Sequence, residues 1–199
     1  MNMQKVPESS VPLRGDVEDL FRTAGVLREG HFVLTSGLHS PVYWEKFRIL
    51  QYPEYTGVLC GMIADHFRAQ QPSVVVGPTT GGVILAFETA RQLGIRGIFA
   101  EKEGNTRVLR RDFVIERGEK VLLVDDVLTT GKSVQETLDA VRGVGGDVIG
   151  IGVMVDRSEA LPSFGTELFS CLRAPAVAYA AGSCPLCAAG VPLKKPGSS

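Results

Sequence analysis

The fold is decided by residues 121–141, VLLVDDVLTTGKSVQETLDAV, which run from an apolar strand through a polar loop into a helix. Residues 121–124 are apolar throughout. A strand without polar alternation is buried on both faces, as in a parallel sheet that is covered by helices. Val134, Leu138 and Val141 recur at helical spacing and predict an amphipathic helix after the loop. The stretch is therefore one strand-loop-helix unit of an α/β domain.

The same unit occurs a second time upstream. Residues 74–76 form a short apolar strand, residues 77–82 (GPTTGG) a glycine-containing loop, and residues 83–93 a helix. Further apolar strands are predicted at residues 98–100 and 148–155. Repetition of the unit predicts an α/β fold with a doubly wound parallel sheet, in which ligands bind beyond the carboxyl ends of the strands.

The segment ahead of this sheet predicts a small N-terminal hood subdomain, about residues 15–50. Its β-rich runs are separated by a turn at residues 36–40, SGLHS, which predicts a hairpin. Residues 1–14 and 190–199 mix Pro, Ser and isolated charges without periodicity. We expect both ends to be flexible extensions and the packed domain to span residues 15–189.

Length and composition exclude several classes of protein. The chain has 199 residues, 44% of them hydrophobic, and 21 basic against 22 acidic side chains give a net charge of -1. This balance favours a globular protein and argues against a nucleic-acid partner, which needs many Lys and Arg to neutralise phosphates. No apolar run approaches the ~18 residues of a membrane span, and the start lacks the apolar core of a signal peptide. Four Cys are too few for a disulfide framework, so we expect a cytoplasmic protein without a membrane partner.

The loop that precedes the second helix is suited to a phosphate. The helix begins near Lys132 or Ser133, so its unpaired N–H groups and the positive end of its dipole face the loop. Thr129, Thr130 and Gly131 are small enough for the backbone to wrap an anion, and the two threonines add hydroxyl donors. The loop therefore predicts a phosphate-binding site.

Two consecutive acids, Asp125 and Asp126, come before this loop. Carboxylates repel a phosphate, but they accept hydrogen bonds from sugar hydroxyls and suit a hydrated magnesium ion. A nucleoside-triphosphate P-loop is excluded: Gly131-Lys132-Ser133 fits the end of its pattern, but Asp126 stands at the position of its first glycine. The simpler alternative is an ordinary connection capped by an acid, which needs only one acidic residue and no Thr-Thr-Gly.

Two apolar residues, two acids and a Thr-Thr-Gly loop that opens a helix resemble the diphosphoribosyl-binding signature of the type I phosphoribosyltransferases. In that family the acids contact the ribose hydroxyls of phosphoribosyl diphosphate (PRPP), and the loop holds its 5'-phosphate. The resemblance also implies magnesium (Mg2+) as cofactor, held mainly through PRPP and not by a set of protein ligands. The PRPP site that it implies consists of Asp125, Asp126, Val127, Leu128, Thr129, Thr130, Gly131, Lys132 and Ser133.

The hood carries a second resemblance. Residues 30–41 fit G-x-F-x-L-x-S-G-x-x-S-P, which is similar to the N-terminal hood of the orotate phosphoribosyltransferases. The similarity extends over about residues 16–157 and includes GPTTGG and VDR. It implies transfer of the phosphoribosyl group from PRPP to orotate, giving orotidine 5'-monophosphate and diphosphate in pyrimidine biosynthesis. From the residues alone, Tyr43 and Trp44 are either a stacking platform for a flat base or core aromatics of the hood.

Orotate is an anion, and the planar guanidinium of an arginine is well suited to bind it. Arg157 comes directly after the strand predicted over residues 148–155 and Asp156. In the family, the matching arginine and the first threonine of the phosphate loop, here Thr129, contact orotate. The alternative for Arg157 is an exposed arginine that merely ends a strand.

The polar segment of residues 100–113, AEKEGNTRVLRRDF, lies between two strands and by itself indicates a solvated loop or a hairpin tip. In the family, a mobile basic loop at this place closes over the diphosphate. Lys102 matches a PRPP-contacting lysine of that loop, and the resemblance implies a catalytic role for Lys102 and for Asp126. Other positions depart from the family pattern, so Arg107 and Arg110 are the candidates for the missing mobile-loop cations.

The resemblance also implies a homodimer, because the mobile loop of the family often reaches the site of a neighbouring subunit. Two alternatives stay open: another nucleobase phosphoribosyltransferase, or a regulator of the same fold that senses PRPP and controls transcription. A regulator that binds nucleic acid needs a basic face or a DNA-binding domain. The net charge of -1 and the short segment before Asp16 disfavour it.

Cys184 and Cys187 have the C-x-x-C spacing of a zinc knuckle or a redox pair. A structural zinc needs four ligands, and the other two thiols, Cys60 and Cys171, form no matching pair. The three histidines form no cluster in the sequence either, and we expect His39 to be exposed. We therefore predict ordinary reduced thiols, with a metal shared across a dimer and a redox role as the alternatives.

Overall fold

The computed structural model describes residues 14–34, 36–45, 47–160 and 162–195. In chain order the helices and strands are α1 (Arg14–Thr23), β1 (Leu27–Val33), β2 (His39–Trp44), α2 (Phe47–Leu50), α3 (Pro53–Phe67), β3 (Val74–Pro78), α4 (Gly81–Leu93), β4 (Arg96–Glu103), β5 (Thr106–Leu109), β6 (Lys120–Leu128), α5 (Lys132–Gly143), β7 (Asp147–Asp156), β8 (Glu167–Arg173) and α6 (Pro185–Ala188). Within these ranges, no helix combines the length and the apolar character that a membrane span requires.

Six strands form one sheet in the order β5-β4-β3-β6-β7-β8. Five of these strands, β4, β3, β6, β7 and β8, run parallel to one another in the sheet. The edge strand β5 runs antiparallel to β4, with which it forms a hairpin. Helices α1, α3 and α4 pack on one face of this sheet and α5 on the other. The α/β fold with a doubly wound, mainly parallel sheet, predicted from the apolar strands, is confirmed.

The two sides of the sheet have separate cores, and β6 contributes to both. Leu122 joins the cluster that contains Leu59 of α3, whereas Leu123 joins the cluster that contains Leu138 of α5. All four side chains are buried. Alternate residues of a strand point to opposite faces, so a strand that is covered on both sides must be apolar at every position. This requirement explains the unbroken apolar run that opens β6.

The hood contains the predicted hairpin. Strands β1 and β2 pair antiparallel, with Val33 opposite His39. The turn is shorter than the predicted turn of residues 36–40, because β2 already begins at His39. His39 is 6% exposed and His31 is 1% exposed, so the prediction of an exposed His39 is wrong. Both imidazoles belong to the interior of the hood.

The chain after β8 returns to the hood hairpin. The backbone N–H of Lys194 donates to the carbonyl of His31 at 2.8 Å, and Tyr179 and His39 exchange two backbone hydrogen bonds of 2.8 Å. The sequence predicts a flexible tail from residue 190, whereas the described chain is paired with the hood as far as Lys194. The sequence from residue 190 does not predict this pairing, because it contains no hydrophobic periodicity. The predicted N-terminal extension, except for Arg14, lies outside the described residues.

Candidate functional site

The candidate site lies where β6 ends and α5 begins, at the carboxyl edge of the sheet. Asp125 and Asp126 are still part of β6, and they are 5% and 2% exposed. The Ser133 hydroxyl of α5 donates to Asp125 Oδ2 at 2.6 Å, and the backbone N–H of Asp126 donates to Asp125 Oδ1 at 2.8 Å. The backbone N–H of Val127 donates to Asp126 Oδ1 at 2.6 Å. The two carboxylates are therefore held in fixed orientations at the end of the strand.

The loop that connects β3 to α4 closes against the second acid. A Cβ atom at Gly81 would lie 2.0 Å from Asp126 Oδ2, so only glycine lets the first turn of α4 approach the carboxylate this closely. A Cβ atom at Gly77 would lie 2.0 Å from the Gly82 carbonyl oxygen, which shows how tightly the loop folds back. The Thr79–Thr80 peptide bond in this loop is cis. The predicted ligand loops after β3 and β6 thus meet at one place.

The predicted phosphate loop has the geometry of an open backbone cradle. Gly131 precedes α5 with φ at +77°, a left-handed conformation that glycine adopts readily. Thr129, Thr130 and Lys132 are exposed, and the described residues provide no side-chain cap for the start of α5. The backbone N–H of Lys132 donates only a long hydrogen bond, of 3.4 Å, to Thr130 Oγ1. The first N–H groups of α5 are therefore available to an anion.

Arg157 lies directly beside the predicted phosphate loop. Its backbone N–H donates to the carbonyl of Leu128 at 2.8 Å, so it stands next to Thr129. The guanidinium lies over Trp44 of the hood, with Cζ 5.5 Å from the ring centroid. Its Nε is buried and has no hydrogen-bond partner within the described ranges. Burial lowers the pKa of Arg157 from its ordinary value, because desolvation penalises the charged form, and an anion beside it would reverse this shift.

A group of residues that the sequence analysis does not identify fixes the backbone around Arg157. Asp156 is buried, and its Oδ1 accepts hydrogen bonds from the backbone N–H of Ser158 at 2.9 Å and from the Ser158 hydroxyl at 2.6 Å. Arg173 at the end of β8 forms an ion pair with the other oxygen of Asp156. In the sequence around Arg157, only Asp156 hints at this network, because its partner Arg173 lies 17 residues further along the chain.

Trp44 and Arg157 face a cavity of about 210 Å³ between the hood and the sheet. Its walls come from α1, the hood hairpin, the end of β8 and the segment after it. They are formed by Glu18, Phe21, Arg22, Leu27, Val42, Trp44, Arg157, Leu172, Ala174, Pro175 and Val177. Trp44 also packs edge-on against Phe21, with ring centroids 5.6 Å apart. Trp44 therefore packs against the hood core and also lines the cavity, and its role as a stacking platform stays a prediction.

The polar segment of residues 100–113 contains the hairpin of β4 and β5, which is one of the two structures that the residues alone indicate. Lys102 is exposed on β4 and pairs across the hairpin with Arg107 on β5. Arg110 is exposed and bonds Glu103 at 2.7 Å. The structure brings Lys102 to the carboxyl end of a strand adjacent to β3, on the same edge of the sheet as the acidic pair.

Arg107 does not have the environment expected of a mobile-loop cation. Its side chain is 8% exposed. The Nη1 group donates to the carbonyls of Thr79 at 3.2 Å and Ala100 at 3.3 Å, and Nε lies 3.6 Å from Glu136 of α5. These contacts fasten the hairpin to the loop after β3 and to α5. Arg107 therefore supports the walls of the site, while Lys102 and Arg110 keep exposed charges.

Comparison with known proteins agrees with this geometry. A family model described as the phosphoribosyl transferase domain matches residues 48–163. The chain is 46% identical over 182 residues to the orotate phosphoribosyltransferase of Caldanaerobacter subterraneus, covering 92% of this chain and 96% of the relative. It is 47% identical over 185 residues to the orotate phosphoribosyltransferase of Pelotomaculum thermopropionicum, covering 93% and 97%.

Solved structures extend the comparison. The orotate phosphoribosyltransferase of Aeropyrum pernix superposes with a TM-score of 0.68 at 28% identity, covering 79% of this chain and 93% of that one. The orotate phosphoribosyltransferase of Mycobacterium tuberculosis in complex with PRPP gives a TM-score of 0.62 at 26% identity, covering 81% and 96%. With its acidic pair, its open phosphate loop and relatives of this identity along most of its length, the chain belongs to the orotate phosphoribosyltransferase family.

Proposed function

We propose that this protein transfers the 5-phosphoribosyl group from PRPP to orotate, giving orotidine 5'-monophosphate and diphosphate in pyrimidine biosynthesis. Family membership supports the activity. The observation that carries the assignment of the base is Arg157, a half-buried arginine whose buried Nε has no hydrogen-bond partner among the described residues. Its guanidinium lies over Trp44, and its backbone N–H bonds the carbonyl of Leu128. This arrangement supports a site for a flat anion directly beside a site for a phosphate.

PRPP fits the edge of the sheet in one orientation. The N–H groups at the start of α5 and the hydroxyls of Thr129 and Thr130 would bind the 5'-phosphate. The ribose hydroxyls would then donate to Asp125 and Asp126, whose carboxylates are held by backbone N–H groups and by Ser133. The reverse orientation would bring the highly charged diphosphate against two buried carboxylates, which repel it.

The reaction separates charge, and the proposed site stabilises both ends of it. The bond at the anomeric carbon breaks, so positive charge develops on the sugar and negative charge on the departing diphosphate. The acidic pair lies on the sugar side. Exposed cations of the β4–β5 hairpin, Lys102 and Arg110, can approach the diphosphate, and a closed hairpin would exclude the water that hydrolyses PRPP. Positioning of the ring nitrogen in line with the sugar requires no covalent enzyme nucleophile.

Magnesium dependence is part of the proposal. Magnesium prefers oxygen ligands and usually binds through one or two carboxylates together with substrate phosphates. The acidic pair supplies oxygens of that kind, but both carboxylates already accept hydrogen bonds from protein groups, so they fit a magnesium ion that arrives with PRPP. When bound to the diphosphate, the ion neutralises part of the charge of the leaving group. The proposal also includes the cytoplasmic location and the homodimer that the sequence predicts.

The proposed activity is tested by diphosphate release from PRPP and magnesium with orotate, uracil, adenine and hypoxanthine offered separately. We expect release with orotate and only background release with the neutral bases, because the half-buried guanidinium of Arg157 favours an anion. Omission of magnesium should abolish the orotate-dependent signal. Equal or greater release with a neutral base would contradict the assignment.

A second prediction concerns Arg157. Loss of a charge-assisted hydrogen bond costs about 1.5 to 3 kcal/mol, so Arg157→Ala should raise the KM for orotate roughly ten- to hundredfold. The KM for PRPP should change much less. The matched control is Arg91→Ala, which removes an exposed arginine paired with Glu88 on α4. An unchanged KM for orotate in a folded Arg157→Ala protein would remove Arg157 from the orotate site.

A third prediction concerns the hairpin lysine. Removal of one group that stabilises developing charge typically lowers kcat by about a hundred- to a thousandfold, and we expect this for Lys102→Ala. The effect should fall on kcat more than on the KM for orotate, because we assign Lys102 to the leaving group. The control is Lys120→Ala at the start of β6, where Nζ bonds the carbonyl of Gln70. Near-normal turnover of Lys102→Ala would show that another cation serves the diphosphate.

A further inference from the structure

We propose that His31, His39, Cys184 and Cys187 bind a structural zinc ion within one chain, and that this ion fastens the C-terminal segment to the hood. The four residues come from three separate parts of the chain: β1, the start of β2, and the C-x-x-C turn at α6. One ligand atom from each lies within 4.8 Å of all the others. The site is distinct from the acidic pair and the phosphate loop.

The spacing of the four atoms fits a tetrahedral site. His31 Nε2 lies 3.0 Å from His39 Nδ1, 3.5 Å from Cys184 Sγ and 3.7 Å from Cys187 Sγ. Cys187 Sγ lies 3.3 Å from His39 Nδ1. With Zn–N near 2.0 Å and Zn–S near 2.3 Å, the edges of a tetrahedron should measure about 3.3 to 3.8 Å. Small shifts of the side chains would therefore bring all four atoms to bonding distance of one ion.

The contacts around His31 orient its ring so that Nε2 can bind a metal. His31 Nδ1 lies 2.7 Å from the carbonyl oxygen of Val191, and a carbonyl can only accept, so Nδ1 carries the proton. In the neutral imidazole the lone pair is then on Nε2, which points at the other three ligands. A hydrogen bond from the second ring nitrogen to a carbonyl is the usual support of a metal-bound histidine, because it fixes the tautomer and the ring orientation.

The hood hairpin brings the two histidines together. His39 pairs with Val33 across the hairpin, and His31 lies in the stretch between Glu29 and Phe32, where the register shifts. The two rings meet edge to face, with centroids 4.9 Å apart. Cys184 stands immediately before α6, and one short turn brings Cys187 back beside it. Two thiols and two imidazoles are a ligand set typical of structural zinc.

The remaining cysteines have a different environment. Cys60 and Cys171 lie in the apolar core between α3 and the sheet. Burial raises the pKa of the Cys60 thiol to about 12 and also raises the pKa of Cys171, so both act as small apolar side chains. Cys184 and Cys187 instead face two nitrogen ligands. The proposed site therefore departs from the prediction of ordinary reduced thiols at Cys184 and Cys187, and it places the metal of the alternative interpretation within one chain instead of across a dimer.

The proposed ion would also stabilise the cavity that Trp44 and Arg157 line. The C-terminal segment runs along the hood, where the Ser40 hydroxyl donates to the Val177 carbonyl at 2.8 Å and Tyr179 pairs with His39. Val177 lines the cavity together with Trp44 at the end of β2. An ion bound to both the hairpin and the C-terminal segment would hold two walls of that cavity together. This consequence, unlike the ion itself, rests on the proposed function.

The first test is the metal content of the full chain, purified without added metal or chelator and measured by mass spectrometry. We expect one zinc per chain in the wild type and in the controls Cys60→Ala and His66→Gln, which alter a thiol and an imidazole outside the cluster. Cys187→Ser and His39→Gln should lose at least nine-tenths of the zinc. Folded wild-type protein without stoichiometric zinc, or variants that retain it, would overturn the proposal.

A second measurement does not depend on whether the variants fold. Wild-type protein stripped with a chelator should take up one equivalent of cobalt(II), with a thiolate-to-cobalt charge-transfer band and the strong visible bands of a tetrahedral site. Absence of the charge-transfer band, or a Cys184–Cys187 disulfide in freshly isolated metal-free protein, would overturn the proposal in favour of a redox pair. Both readouts are independent of turnover, so their failure is distinguishable from failure of the proposed activity.

Discussion

The hydrogen bond from the Ser133 hydroxyl to Asp125 at 2.6 Å is the contact on which the arrangement of the site depends. It joins the end of the central strand β6 to the first turn of α5. The acids that suit the ribose and the N–H groups that suit the phosphate are thereby held at a fixed separation. Because β6 is covered on both faces, neither element can shift without disturbing a core. The chemistry of the site is in this way tied to the packing of the sheet.

Small residues let the other elements approach this contact. Gly81 allows α4 to meet the Asp126 carboxylate, and Gly131 provides the left-handed turn before α5. A Cβ atom at Gly131 would lie 2.9 Å from the Phe164 ring, so the space beside the loop also excludes a larger side chain. Arg157 completes the arrangement from the neighbouring strand by bonding the Leu128 carbonyl. Preorganisation of this kind lowers the cost of orienting two substrates for transfer.

Local sequence predicts most of the fold, because the burial of a strand and the periodicity of a helix both depend on residues that lie close together in the chain. The apolar run of residues 121–124 and the motif that follows it predict the sheet and a phosphate-binding loop, and they carry the resemblance to the family. Contacts between distant segments leave no such local trace. His31 and Cys187 are 156 residues apart, and their meeting depends on the hairpin register together with the return of the C-terminal segment. The supporting role of Arg107 likewise cannot be predicted locally, because it depends on contact with Glu136 of α5.

The central claim is that the edge formed by β6 and α5 binds PRPP with its 5'-phosphate on the loop and its ribose on the acids. The most direct measurement is a crystal structure of the full chain with PRPP and magnesium. We predict the 5'-phosphate within hydrogen-bond distance of N–H groups of residues 129–133 and the ribose hydroxyls at Asp125 and Asp126. The diphosphate should point toward Lys102. A diphosphate seated in the loop of residues 129–133, with the ribose away from the acids, would contradict the account.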